Sequence, residues 1–361
     1  MTSPSLRVAL IASNRYPIRQ PFAGGLEAHV WHLAHALGKD GHEVTLFAAP
    51  GSDPTLPAEF LEVPSFEVGE LARSDVSMPP ADGFLGDHHA YLSLMLDLAG
   101  PSADAFDVVH NHSLHYLPIA MARTLRTPLL CTLHTPPTPW LESAMATPGG
   151  CPGTFVAVSR HTAAAWEHAT PGPVAVVPNG VDLGAWPVGP GGDDLIWFGR
   201  LVPEKGAHLA IEAARRAGYR VRIAGPISNR EYFSRHVEPF LGPDVTYLGH
   251  LSQPDLAAAV GNSAASLITP QWDEPYGLVV AESLACGTPV VAFARGGIPE
   301  VVDESSGCLV APDDIDGLAA AVPCAVGLSR SSARARAEER CSERTMVDAY
   351  VSLYRELAGA A

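Results

Sequence analysis

The sequence predicts an α/β protein of two domains, each a parallel sheet covered by helices. Three observations carry that expectation. The 361 residues exceed one ordinary core. Short β-rich runs alternate with helical stretches. Most of those runs are apolar from end to end, as strands buried on both faces are.

In the first half the candidate strands are LRVALIAS (6–13), EVTLFAA (43–49), DVVHNH (107–112), PLLCTLH (128–134), TFVAVS (154–159) and VAVVPN (174–179). The second half offers LIWFGR (195–200), RVRIAG (220–225), VTYLG (245–249), ASLITP (265–270), PVVAFA (289–294) and GCLVAP (307–312). The pattern restarts after WPVGPGGDD (186–194), a Pro/Gly cluster read as the linker between domains. Residues 51–106 interrupt the first domain. They begin Pro-rich and loop-like, then offer one helix, HHAYLSLMLDLA (88–99). Beyond about residue 332 the chain is helical in character, with Val347, Tyr350, Val351 and Tyr354 at helix spacing.

The formal charge of −16 argues against nucleic acid or a strongly anionic membrane as the main partner. No window reaches 18 uninterrupted apolar residues, so no membrane span is expected. The start, MTSPSLRVALIAS, reads as a first buried strand rather than a signal peptide. Six cysteines without CxxC pairing suit reduced thiols, so a cytoplasmic protein is expected. Of the 23 basic residues only Lys39 and Lys205 are lysines, which draws attention to position 205.

Gly24 and Gly25 precede a helical stripe of Leu26, Val30, Leu33 and Leu37. Free N–H groups and the dipole at a helix start favour an anion, although a plain turn reads the same. In WFGRLVPEKG (197–206), Arg200 and Lys205 follow a strand, where open α/β sheets bind ligands. Two such cations can clamp a diphosphate; a solvated loop with Glu204 as counterion is the alternative.

DEPYGLVVAE (273–282) places Glu274 in a loop and Glu282 more than one turn into a helix, with the N–H groups of Gly277, Leu278 and Val279 at its start. Eight helical residues span about 12 Å. The carboxyl pair of a glycosidase lies roughly 5–9.5 Å apart. The spacing therefore suits two parts of one long ligand, such as a nucleoside-diphosphate sugar, better than a hydrolytic pair. His134 ends a strand in CTLHTPP and is either a site residue or a core histidine. In HNHSLH, His110 and His112 share a strand face but lack a third metal ligand of clear spacing, so no metal is expected. Ser159 is expected to cap a helix.

Taken in order, the GG pair, LHTPP, VAVS, VPNGVD, FGRLVPEKG, EPYGLVVAE and ACGTPVVAFARGGIPEVV resemble the retaining glycosyltransferases of family GT4 over most of the chain. The resemblance implies the GT-B fold: two Rossmann-like domains facing a central cleft. An N-terminal acceptor-side domain would span 1–187, a nucleotide-sugar domain 188–340, and a helix at 341–361 would return to the first domain. It implies that Gly24 and Gly25 lie by the donor diphosphate and that Arg200 and Lys205 neutralise it. Glu274 would contact the donor sugar, aided by the Tyr276, Gly277, Leu278 and Val279 segment. Glu282 would hold the ribose, and His134 would stand near the reacting centre. No metal or other cofactor is implied. The donor would be a UDP- or GDP-hexose, the acceptor a hydroxyl of a saccharide or natural product. A sugar-nucleotide 2-epimerase of the same architecture, or a non-catalytic sugar-nucleotide-binding protein, are the rival readings.

Overall fold

The computed structural model describes residues 4–56, 59–62, 69–74, 77, 83–147 and 149–359. The first sheet holds β1 (Arg7–Ile11), β2 (Glu43–Ala48), β3 (Glu59–Glu62), β4 (Val108–Asn111), β5 (Leu129–Leu133), β6 (Thr154–Ala157) and β7 (Ala175–Val176). The second holds β8 (Leu195–Phe198), β9 (Val221–Ala224), β10 (Val245–Tyr247), β11 (Ser266–Ile268), β12 (Val290–Phe293) and β13 (Gly307–Val310). Every pairing is parallel. Most of the continuous apolar runs of the sequence are strands buried on both faces, while the edge strands β7, β10 and β13 are partly exposed.

The strand orders are β3-β2-β1-β4-β5-β6-β7 and β10-β9-β8-β11-β12-β13. Each order reverses at its centre, between β1 and β4 and between β8 and β11. Loops leaving those strands diverge to opposite faces and open a crevice at the sheet's carboxyl edge. The two sheets thus provide two crevices, and the segments after β1, β8 and β11 are the ones that carry the sequence motifs.

Residues 51–106 contain two elements that serve the first domain. The edge strand β3 escapes the sequence reading because four residues between Pro-rich flanks carry little periodicity. The helix is Phe84–Ala99, four residues longer at its start than the stripe suggests. It buries Tyr91, Leu94, Met95 and Leu98 in the core. The Tyr91 hydroxyl donates to Ala12 O (2.9 Å) and accepts from Asn14 N (2.8 Å), which fixes the loop after β1. Parts of the Pro-rich stretches lie outside the described residues. The cluster at 186–194 is no loose tether: Arg330 donates to the carbonyls of Gly189, Gly261, Ser263 and Cys286 and ties it to the second domain.

The terminal helix, Glu343–Gly359, lies on the first domain. Met346, Val347, Tyr350, Val351 and Tyr354 join Val8 and Leu10 of β1 and Leu33 and Leu37 of the first helix, Gly25–Lys39, in one core. Arg344 pairs with Asp40 at 2.6 Å and His32 with Glu343 at 2.9 Å. The return to the first domain passes through a Val181–Ser342 bridge. There a Cβ on Gly180 would stand 2.4 Å from Glu343 Cα. Gly180→Ala is therefore expected to cost about 1–3 kcal/mol through backbone overpacking. A lowered thermal midpoint would show it; an unchanged midpoint would mean that the crossing has room to spare.

Candidate functional site

One cleft of about 300 Å³ lies between the domains, and all the sequence-predicted site residues line it: Gly24, Gly25, His134, Arg200, Lys205, Glu274, Tyr276, Gly277, Leu278, Val279 and Glu282. From the first domain come the loop after β1, the start of the Gly25–Lys39 helix and the end of β5. From the second come the loops after β8 and β11 and the cleft helix, Leu278–Ala285.

Two helix starts meet here. Gly24 caps the first helix and Gly277 the cleft helix, and neither cap supplies a side-chain hydrogen bond. A Cβ on Gly25 would lie 2.9 Å from Leu278 Cδ1, and one on Gly24 would lie 3.7 Å from Arg200 Nε. The absence of side chains on this pair is what lets the two ends approach. Gly277 has φ +91°, a left-handed conformation that favours glycine. Each helix start concentrates partial positive charge and unpaired N–H donors on the cleft.

Charged side chains complete the field. Lys205 Nζ donates to Glu274 Oε2 at 2.6 Å, and the Trp272 indole N–H donates to the same oxygen at 3.0 Å. Lys205 Nζ also lies 5.2 Å from the Trp272 ring centroid. The backbone of Glu274 is fixed independently, because its carbonyl accepts from Gly297 N at 2.7 Å. A Cβ on Gly296 would lie 2.1 Å from that carbonyl oxygen. Only glycine allows the approach, which gives the GG of ARGGIPEVV its structural meaning. Tyr276 borders the cleft with its ring buried in the second domain's core.

Sequence reasoning missed Trp272 and Glu27. Trp272 is the aromatic of the QWDEPY loop, two residues before Glu274. Glu27 lies three residues past Gly24, in the first turn, where an acid complements the dipole. Burial holds its pKa above the usual value, with the backbone hydrogen bond and the charges of Arg200 and Arg15 offsetting part of the rise.

Glu282 keeps a narrow opening to the cleft, yet its carboxyl is desolvated enough that burial pushes its pKa up to about 8. At neutral pH that carboxyl is therefore mostly protonated, with one O–H to donate and a carbonyl oxygen to accept.

The HNHSLH histidines fold inward. His110 and His112 are buried, and it is His112, not the pair, that joins a cluster: ring nitrogens of His29 from the first helix, His112 and His134 lie within 4.8 Å of one another. The rings are engaged with each other. His112 Nδ1 lies 3.0 Å from His134 Nε2, and His112 Nε2 lies 3.1 Å from His110 Nδ1. Among the described residues neither nitrogen of His29 completes a hydrogen bond of good geometry, although Asn179 stands close, and burial pushes its pKa down to about 3. Ser159 caps its helix as expected, accepting from Thr162 N at 3.0 Å.

With this geometry in view, similarity to known proteins can be stated. Residues 23–185 match the family Glycosyltransferase Family 4, and residues 188–340 match Glycosyl transferases group 1. The chain is 30% identical to D-inositol 3-phosphate glycosyltransferase of Mycobacterium avium, over 97% of this chain and 93% of that one. It is 28% identical to glycogen synthase of Mycobacterium tuberculosis, over 97% and 94%. Among solved structures, HepE of Anabaena, in complex with UDP and glucose, superposes with a TM-score of 0.73 at 18% identity, covering 96% of this chain and 99% of that one.

The Glu282 carboxyl links stability to pH. Its pKa is raised in the fold from 4.5 to about 8, so its contribution is full below pH 4.5 and is lost as pH rises through about 8. Without ligand, Glu282→Gln is expected to gain thermal stability relative to the parent progressively across that window. Melting curves at several pH values would test it; a pH-independent difference would mean that the carboxyl is solvated.

Proposed function

We propose that this chain, which belongs to glycosyltransferase family 4 and has the GT-B fold, moves a hexose from a UDP- or GDP-sugar to a hydroxyl of a saccharide or natural product, with retention of anomeric configuration and without a metal ion. The observation that carries the reading is the convergence on one cleft of two uncapped helix starts, Arg200 and Lys205, with Glu282 one turn beyond. That set presents positive charge to a diphosphate and a carboxyl group to the hydroxyls of the ribose next to it. The UDP and glucose bound by HepE, a protein of the same fold, are in keeping with such a donor.

The chemistry follows from the charges. The bond from the sugar's anomeric carbon to phosphate oxygen breaks, and negative charge grows on the departing diphosphate. Arg200, Lys205 and the helix starts stabilise it where it develops. The acceptor oxygen bonds to the same face of the anomeric carbon, and its proton passes to the departing phosphate oxygen. Glu274 orients the sugar hydroxyls. Lys205, paired with Glu274, couples sugar and phosphate recognition. Closure of the two domains on the donor would exclude water and suppress hydrolysis.

A thermal-shift panel of UDP, GDP, ADP and dTDP, with UDP- and GDP-sugars, tests the donor site, because a ligand of the folded state raises the midpoint. One base is expected to stand out; no shift with any would overturn the reading. Lys205→Ala and Glu274→Ala are each expected to lower kcat/KM by about 10²–10³-fold in folded protein. Near-normal transfer in either would remove its assigned role. NMR of donor with protein separates acceptor-dependent transfer from epimerisation of the sugar nucleotide. A chelator is expected to leave transfer intact, and loss of activity that returns with added metal would overturn the metal-free proposal.

A further inference from the structure

Behind His134, a file of hydrogen-bonded side chains runs through the first domain to the terminal helix, and the chemistry above does not use it. His134 Nε2 meets His112 Nδ1 at 3.0 Å, and His112 Nε2 meets His110 Nδ1 at 3.1 Å. His110 Nδ1 also lies 2.6 Å from the Tyr354 hydroxyl, and His110 Nε2 lies 2.8 Å from Thr132 Oγ1. Thr132 Oγ1 in turn meets the Tyr350 hydroxyl at 3.2 Å.

Burial pushes the pKa of all three histidines well below the usual range, so each ring is neutral and carries one N–H. Two proton patterns satisfy both ring-to-ring contacts. In the first, His134 Nε2–H donates to His112, His112 Nε2–H donates to His110 Nδ1, and His110 Nε2–H donates to Thr132. In the second, every donor is reversed, and the proton of His134 sits on Nδ1.

The phenol breaks the tie. Tyr354 is fully buried, and burial holds its pKa well above the usual tyrosine range, so it keeps its O–H. Its hydrogen bond among the described residues is the one to His110 Nδ1. In the first pattern that nitrogen is bare and accepts from the phenol, sharing its lone pair with the longer contact from His112. In the second it bears a proton, and the phenol's buried O–H is left without an acceptor, an unmatched donor that burial penalises.

We propose that Tyr354, on the returning helix, is a positioning residue that sets the tautomer of His134 through His110 and His112, placing the proton on Nε2 and leaving Nδ1 as a lone pair. His134 then offers the cleft an acceptor for a substrate hydroxyl. The consequence for turnover rests on the donor-cleft reading above; the tautomer itself does not.

Long-range proton–nitrogen NMR of protein labelled with ¹⁵N-histidine reads both ring nitrogens. In the parent, His134 Nδ1 is expected at the shift of an unprotonated nitrogen; a protonated Nδ1 overturns the proposal, whether or not any variant folds. In Tyr354→Phe a population with protonated Nδ1 is expected, while Tyr350→Phe, which alters the file beyond Thr132, keeps the parent tautomer. An unchanged His134 spectrum in Tyr354→Phe also overturns it. With transfer assayed, Tyr354→Phe is expected to lose about three- to tenfold in kcat, the worth of one hydrogen bond, with donor KM unchanged. A shifted tautomer with parental kcat would remove the positioning role. The nucleotide-induced thermal shift is expected to persist in the variant, so failure of the donor reading would appear separately, in the parent.

Discussion

Two positive helix ends pointed at each other across one cleft are the constraint on which the rest of this structure turns. The first helix and the cleft helix begin almost in contact, Gly25 against Leu278, with Arg200 beside Gly24. Unbalanced, that arrangement is repulsive. The fold balances it with its own acids. Glu27 sits in the first turn under the field of Arg200, and Glu274 takes the Lys205 ammonium directly. In the proposed reading an incoming diphosphate would enter a field already built and take over Lys205 from Glu274, whose side chain is partly covered. The same constraint explains the glycines: side chains at 24 and 25 would separate the ends, and side chains at 277 and 296 would displace Glu274 or the cap that follows it.

That field depends on topology as much as on charge. Both sheets reverse their strand order at the centre, so the loops after β1, β8 and β11 all leave toward the same gap. The motifs occupy those loops because that is where backbone donors are free and where each sheet leaves a crevice. Elements of the interrupting segment that carry no motif still serve the gap. Tyr91 holds the loop after β1 by two hydrogen bonds to its backbone, and so holds the approach to Gly24.

The buried strands and the cleft residues were legible in sequence for a physical reason. Strands covered on both faces write themselves as unbroken apolar runs, and a ligand-binding loop at a strand's end concentrates glycine with charge. Arg200, Lys205, Glu274 and Glu282 stand out because such residues seldom interrupt apolar runs without a partner. What stayed hidden depends on neighbours distant in the chain. β3 is a short edge strand recognised only by its pairing with β2. Trp272 becomes meaningful once its indole is seen to share an oxygen with Lys205. His29 lies beside the stripe of Leu26, Val30, Leu33 and Leu37, and nothing local says that His112 and His134 will gather against it.

The terminal helix shows why such long-range terms matter to chemistry. It begins where the chain leaves the second domain and ends buried on the first, so its apolar face contributes to a core that the N-terminal residues cannot close alone. Apolar side chains would suffice for that task. Tyr350 and Tyr354 instead carry hydroxyls into a fully buried site, where an unmatched polar group is costly. They are matched by Thr132 and His110, and His110 is matched by His112, which reaches His134 at the cleft. A buried polar file stabilises only when every member is satisfied, and satisfying every member fixes every proton. The stability of the domain crossing and the hydrogen-bonding character of a residue at the cleft are therefore set by the same set of bonds.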